Sequence, residues 1–313
     1  MEKIMNKSLT IESFMRLFNA PQDEFDLECQ GYINRSDFSY QLLQPAEQDR
    51  TVLNILKRID SGSLPQAGKK NKEIWERGWL ENLNNFVASG YDPKELVPKY
   101  VRPDQPLRLF QRYVSSVNSY FELDFYTILR LWLFKNFLYD VSSIYEFACG
   151  PGYNLHLMGS LFPEKAIWGM DWSTSSVELV NIIGEKCRMN IKGNCFNMFD
   201  PDAQFEISHD SAVLTMGGLE QLGKDFSVFI EYLLSNNPVR VIHIEPIYEL
   251  YDENNLVDYL AMRFHSKRNY LMGLLPYLRE LETNGRITIH KVQRVAFGSL
   301  FHDGWSMICY SPR

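Results

Sequence analysis

One stretch limits what this chain can fold into more than any other. It is Ile144-Tyr-Glu-Phe-Ala-Cys-Gly-Pro-Gly-Tyr-Asn154, followed by Ala166-Ile-Trp-Gly-Met-Asp171. It reads as a buried strand, a glycine turn, a helix and a second strand that ends in an acid. An open α/β sheet holds an adenosine-containing cofactor in this way. Gly150 and Gly152 let the backbone turn sharply and let a ligand come close to it. Asp171 follows Gly150 by about 20 residues, at the tip of the next strand, where a carboxylate can accept bonds from both ribose hydroxyls.

The pattern around this stretch alternates. Strands are expected at 144–147, 167–170, 191–197, 211–215, 239–244, 286–295 and 304–310. Helices are expected at 154–161, 174–188 (with Ser173 as N-cap) and 219–234, and 254–281 reads as a long helical region. Such alternation implies a parallel sheet with helices on both faces. The stretch 296–303 is too short for a helical crossover, so the last two strands should pair antiparallel. The expected fold is therefore α/β and Rossmann-like, mostly parallel with an antiparallel terminal hairpin.

Ahead of it, residues 1–138 read as a helical lid or substrate region, and 139–313 as the cofactor-binding domain. Helices are expected near Met15–Phe18, over 49–59 and over 72–88. Pro93, Pro98, Pro103 and Pro106 punctuate a connector, and 107–137 reads as two further helices. The aromatic residues of this region, Trp75 and Trp79 among them, read as core.

Composition narrows the function. The 313 residues are 45% hydrophobic, ample for a packed core. The net charge of -7 and the lack of a basic cluster argue against nucleic acid as partner; Lys69 to Lys72 reads as a solvated loop. Five scattered cysteines form no C-x-x-C pair, so neither a zinc site nor a disulfide framework is expected, and Cys149 reads as a small space-filler. No signal peptide and no run of apolar residues long enough to span a bilayer is seen. The expectation is a cytoplasmic protein with no membrane partner, with a homodimer as the candidate assembly.

Two details separate the glycine turn from that of nicotinamide enzymes. Glu146 closes the first strand, and Leu155 stands where a third glycine would complete G-x-G-x-x-G. Glu146-Phe-Ala-Cys-Gly-Pro-Gly152 resembles motif I of class I S-adenosylmethionine-dependent methyltransferases, with Ala148 in place of the first glycine. Gly169-Met-Asp-Trp-Ser173 resembles their second motif, and the resemblance covers roughly residues 140–313. It implies an enzyme with S-adenosyl-L-methionine as cofactor, which transfers a methyl group to an oxygen or nitrogen of a small molecule. The rival readings are a nucleotide-cofactor oxidoreductase and a non-catalytic binding protein of the same fold.

The resemblance carries over to Glu146, Ala148, Gly150, Gly152, Asn154, Asp171, Trp172 and Thr215 as cofactor residues. It also implies an acid or amide after the third strand for the adenine amino group. Asn197 is preferred there over Asp200, with Met198 or Phe199 against the ring.

Ligands of open α/β sheets sit beyond the carboxyl ends of the strands. That singles out Glu220, which could orient a substrate or act as a base, and His243 with Glu245, which share one strand face by alternation. These three are the catalytic candidates. Arg112, Tyr113, Tyr120, His265 and Arg268 are candidates for binding substrate, Arg112 because a guanidinium suits a carboxylate or phosphate. Glu220, His243, Glu245, His265 and His302 have metal-ligand chemistry, but no helical ligand spacing occurs, so no metal is expected.

Overall fold

The computed structural model describes residues 6–99, 101, 103 and 105–313. The N-terminal region comprises β1 (Lys7–Ser8), α1 (Ile11–Phe18), α2 (Leu27–Arg35), β2 (Ser39–Leu42), α3 (Pro45–Asp60), α4 (Lys72–Ala88), β3 (Leu107–Leu109), β4 (Arg112–Ser116) and α5 (Phe121–Phe137). Its helices start where the sequence supplies caps. Asp26 accepts from the Cys29 N–H at α2, and Pro45 opens α3, where its missing N–H costs nothing.

The second region alternates as expected: β5 (Ser143–Phe147), α6 (Tyr153–Leu161), β6 (Ala166–Asp171), α7 (Thr174–Lys186), β7 (Ile191–Cys195), β8 (Ser211–Met216), α8 (Ser227–Asn236) and β9 (Arg240–Glu245). Then come α9 (Leu256–Arg268), α10 (Leu274–Thr283), β10 (Ile287–Gln293), β11 (Phe297–Gly298) and β12 (Ser306–Pro312). The large sheet runs β10-β12-β9-β8-β5-β6-β7. Strands β5 to β9 are parallel, and β12 lies antiparallel between β9 and β10. The order reverses at β5, and there the carboxyl ends of β5, β6 and β8 open a crevice.

Two local expectations were displaced. Residues 107–116 form the hairpin β3–β4, not the start of a helix. Its turn places Phe110 and Gln111 at φ 49° and 60°, without the Asn or Gly that usually marks such a turn. Strand β3 also pairs with β11, far away in sequence, within a second sheet of order β1-β2-β4-β3-β11. The N-terminal region is thus helical with an antiparallel sheet. The helical region 254–281 forms as expected and divides into two helices, because Asn269 and Gly273 adopt left-handed backbone between them.

The two regions share one core. Phe125 of α5 stacks on Phe297 of β11 with ring centroids 3.7 Å apart. Arg108 of β3 is fully buried and bonds Asp303 (2.8 Å) and Asp258 (3.1 Å), and Arg294 completes the ion network. Buried charges in such a network hold only as a set.

Candidate active site

Beyond β5 the chain makes its turn with Ala148 at φ 55°, Gly150 at φ 54° and Gly152 at φ 73°. The left-handed conformation is free for glycine but costs an alanine about 1–2 kcal/mol. Gly152 heads α6, and a Cβ there would lie 2.8 Å from Ile183, so helix packing excludes a side chain. Cys149 is buried with its Sγ 3.7 Å from the Ser176 Oγ, and burial pushes its thiol well above the usual range; it fills space.

The turn forms the floor of a cavity whose polar wall is Glu146, Asn154 and Asp171. Asp171 accepts from the Gly150 N–H (3.1 Å) on one oxygen and from the Ser173 N–H (2.9 Å) on the other. Burial raises its carboxyl to about 6 against the pull of these donors. Each oxygen keeps a lone pair. The Tyr126 hydroxyl donates to Asn154 Oδ1 (3.0 Å), and Asn154 Nδ2 donates to Glu146 Oε1 (2.6 Å). The second Glu146 oxygen, Oε2, is buried with no hydrogen-bond partner among the described residues. Burial raises this carboxyl to about 8, opposed by the Asn154 bond and the charge of Arg130. An orphaned carboxylate oxygen in a cavity is a receptor for a cationic donor.

The apolar wall comes from two directions. Trp172, after β6, stacks on Phe199 (centroids 5.5 Å apart), with Met198 and Phe196 beside them. Trp75 and Trp79 of α4 stack on each other at 5.4 Å and face the same cavity. The reading of these two tryptophans as core is corrected. Amphipathic spacing puts an aromatic stripe on a helix but does not say whether the stripe meets a core or a crevice.

Asn197 is a second correction. It is exposed, and its Oδ1 accepts the Phe199 N–H (3.1 Å), capping its own turn; Asp200 is exposed as well. The turn directs Phe196, Met198 and Phe199 inward and both polar candidates outward. Of the cofactor candidates, Glu146, Ala148, Gly150, Asn154, Asp171, Trp172, Met198 and Phe199 line the cavity. Thr215 does not. It is buried in the sheet, and Met216 and Gly217 take the cavity position.

The catalytic candidates separate. His243 is fully buried, with Nδ1 2.9 Å from Thr215 Oγ1 and Nε2 3.4 Å from the Tyr310 hydroxyl, and burial lowers it to about 3. It is a neutral core imidazole away from the cavity. Glu245 is fully buried too and accepts three backbone N–H groups, from Gly218 (3.1 Å), Leu219 (2.9 Å) and Glu220 (3.2 Å). It holds the turn after β8. Alternation put both residues on one face, but that face is the inner layer of the sheet. Glu220 does not line the cavity; it accepts from Gln221 Nε2 (3.0 Å), and Gln221 does. Burial first, then the charge of Glu245, raises the Glu220 carboxyl to about 8, with Arg268 opposing.

Among the substrate candidates, Arg112 and Tyr120 are exposed. Tyr113, His265 and Arg268 lie on another cluster, around Phe264 and Tyr270. His265 is fully buried, and burial lowers it to about 3. Among the described residues, no three His, Cys, Asp or Glu side chains group to hold a metal ion, and no helix is long and apolar enough to cross a membrane.

The strand order, the inserted antiparallel β12, the glycine turn after β5 and the acid ending β6 together define the class I methyltransferase fold. Comparison with protein-family models and with curated protein sequences finds no match. Among solved structures, the chain is similar to a geranyl diphosphate C-methyltransferase from Streptomyces coelicolor A3(2), in complex with Mg2+, geranyl diphosphate and S-adenosyl-L-homocysteine. The two are 12% identical over 63% of this chain and 85% of the other, with a TM-score of 0.44. It is also similar to the magnesium protoporphyrin IX methyltransferase of Synechocystis PCC 6803 with bound S-adenosylmethionine (10% identity, 60% and 77% covered, TM-score 0.42). The small RNA methyltransferase HEN1 is a further likeness, at 14% identity, with 64% of this chain and 28% of that one covered and a TM-score of 0.46.

Proposed function

We propose that this chain is an S-adenosylmethionine-dependent methyltransferase acting on an oxygen or nitrogen of a small molecule. The observation that carries the reading is the buried Glu146 Oε2, without a hydrogen-bond partner among the described residues, in the wall of the cavity that Asp171 also lines. An ammonium group satisfies the first and ribose hydroxyls suit the free lone pairs of the second, while Trp172, Met198 and Phe199 offer an apolar slot for a purine. These are the parts of one molecule, S-adenosylmethionine. When bound, it supplies a methyl group already activated on a sulfonium.

The residues of the chain then have three tasks. Glu146, Asn154 and Asp171 orient the ligand. The aromatic walls exclude water, which strengthens every polar contact inside. Glu220 does not itself line the cavity but accepts from Gln221, which does, and it is the proposed acceptor of the proton that a substrate hydroxyl or amine loses. A carboxyl near 8 is matched to proton transfer close to neutral pH.

Calorimetric titration of the purified protein with S-adenosylmethionine, S-adenosylhomocysteine and NAD tests the reading. The first two should bind and NAD should not. Asp171→Ala should weaken binding by about 1.5–3 kcal/mol, the worth of hydrogen bonds to a charged group. Tight NAD binding would reject the proposal. Incubation of metabolite extracts with methyl-labelled cofactor then identifies the acceptor, and Glu220→Gln should slow labelling.

A further inference from the structure

The cavity has one wall that the large sheet does not supply. Trp75 and Trp79 come from α4, and the Trp79 ring presses on the glycine turn so closely that a Cβ on Gly150 would lie 2.9 Å from it. Between the two tryptophans stands Glu76. Its Oε2 accepts the Ser173 hydroxyl (2.7 Å) and the Thr174 N–H (2.8 Å); its Oε1 accepts the Ser175 N–H (3.0 Å) and the Ser175 hydroxyl. One carboxylate from α4 thus meets the first turn of α7, where free N–H groups and the helix dipole favour an anion. The Ser173 side chain accepts the Ser176 N–H (3.4 Å), and Glu76 takes the Thr174 and Ser175 N–H groups of the same turn. The same bonds tie α4 down beside Asp171.

The rest of α4 divides sharply. Its C-terminal half is anchored by buried Asn82, Leu83 and Phe86. Its N-terminal half carries exposed Ile74; in the loop before it Ala67 is buried and its N–H donates to the Arg268 carbonyl (2.7 Å), while a Cβ on Gly68 (φ 133°) would meet none of the described residues within 4 Å. Apart from those of Glu76, the side-chain hydrogen bond of this half among the described residues, from Arg77 Nε to the Glu73 carbonyl (3.3 Å), stays within the helix.

We propose that the N-terminal half of α4 is a cover over the ligand site, with Glu76 as its latch. This rests on the cofactor reading above for the identity of the ligand, but not for the existence of the latch. Glu76 is a positioning residue: it acts through Trp75 and Trp79. Ligand entry and exit both require the four bonds to break, so opening limits both rates.

Two measurements test this. Stopped-flow tryptophan fluorescence follows S-adenosylhomocysteine binding and release in wild type, Glu76→Ala and Glu76→Gln. Glu76→Ala should raise association and dissociation rates together, by about tenfold or more, and Glu76→Gln, which keeps an acceptor, should lie between. A merely structural defect in α7 would raise dissociation alone; that outcome, or rates within about twofold of wild type, overturns the latch. Amide hydrogen exchange on ligand-free protein is the second measurement. Glu76→Ala should speed exchange across 72–79 while β5, β6 and β8 stay protected. Unchanged exchange in 72–79 overturns the proposal. Wild type that binds no S-adenosylhomocysteine rejects the cofactor reading instead, and the exchange result alone then decides the latch.

Discussion

The Cβ of Ala148 fills the space that a side chain on Gly218 would need: a Cβ built on Gly218 would lie 2.4 Å from it. Ala148 holds a left-handed backbone, and Gly218 begins the turn after the neighbouring strand. The two turns that floor the cavity are therefore fitted to each other through one methyl group.

Gly218→Ala should destabilise the fold by about 1–3 kcal/mol through this overpacking. Ala148→Gly should be close to neutral, because relief of the left-handed strain is offset by a freer unfolded chain. The double variant Ala148→Gly/Gly218→Ala should recover most of the loss. Urea unfolding of the four proteins measures the coupling, and an additive cycle would mean that the contact carries no energy.

Glu146 sets a pH dependence. Its carboxyl is raised from an ordinary 4.5 to about 8, by burial first. Below that value it carries a proton, which an ammonium ligand must displace. The affinity for S-adenosylhomocysteine should rise with pH toward 8, by at most about tenfold per unit, and then level. Glu146→Gln should bind weakly and lose the slope. An affinity independent of pH would remove Glu146 from the site.

The same shift acts on stability with the opposite sign. The unfolded carboxyl ionises near 4.5 and the folded one near 8, so the stabilisation is complete below 4.5 and is lost as pH rises through 8. Glu146 and Glu220 both behave this way. Glu220→Gln should gain stability relative to wild type between pH 5 and 8.5, by more than about 1 kcal/mol, as read from urea midpoints at each pH. A constant difference would place Glu220 in solvent.

His243→Ala should damage the core, with a loss of about 2–4 kcal/mol from the cavity and from Thr215 left without its partner. S-adenosylhomocysteine affinity per folded molecule should be nearly unchanged. A variant as stable as wild type would contradict the buried placement.

Arg108→Met leaves Asp258 and Asp303 sharing Arg294 alone. The expected cost is about 3–5 kcal/mol, that of breaking a buried ion set. Because Arg108 ties β3 to α9 and to the turn before β12, unfolding should remain a single transition in wild type and separate into two in the variant. Fluorescence and circular dichroism melts that coincide in both would show that the ties are not needed for cooperativity.

Much of the frame was legible in the chain because its signals are local. The alternation of 144–171 specifies strand, turn, helix and strand; Glu146 and Asp171 follow from position within it; and the short stretch 296–303 leaves an antiparallel pairing as the only way home. What the chain could not disclose depends on contacts between distant segments. Strand β3 is a strand because Leu109 meets Phe297. His243 and Glu245 share a face by alternation, but whether that face meets ligand or core is decided by Thr215, Tyr310 and the backbone of 218–220 packing over it. Asn197 turns outward because its own amide caps the turn, an arrangement that competes with any ligand contact. Trp75 and Trp79 face the cavity because α4 packs beside α7, with Glu76 on its first turn and Leu83 and Phe86 buried. Local periodicity determines the element and its faces. Which face meets a ligand is a property of the packed whole, since burial and hydrogen-bond partners exist only after the segments have come together.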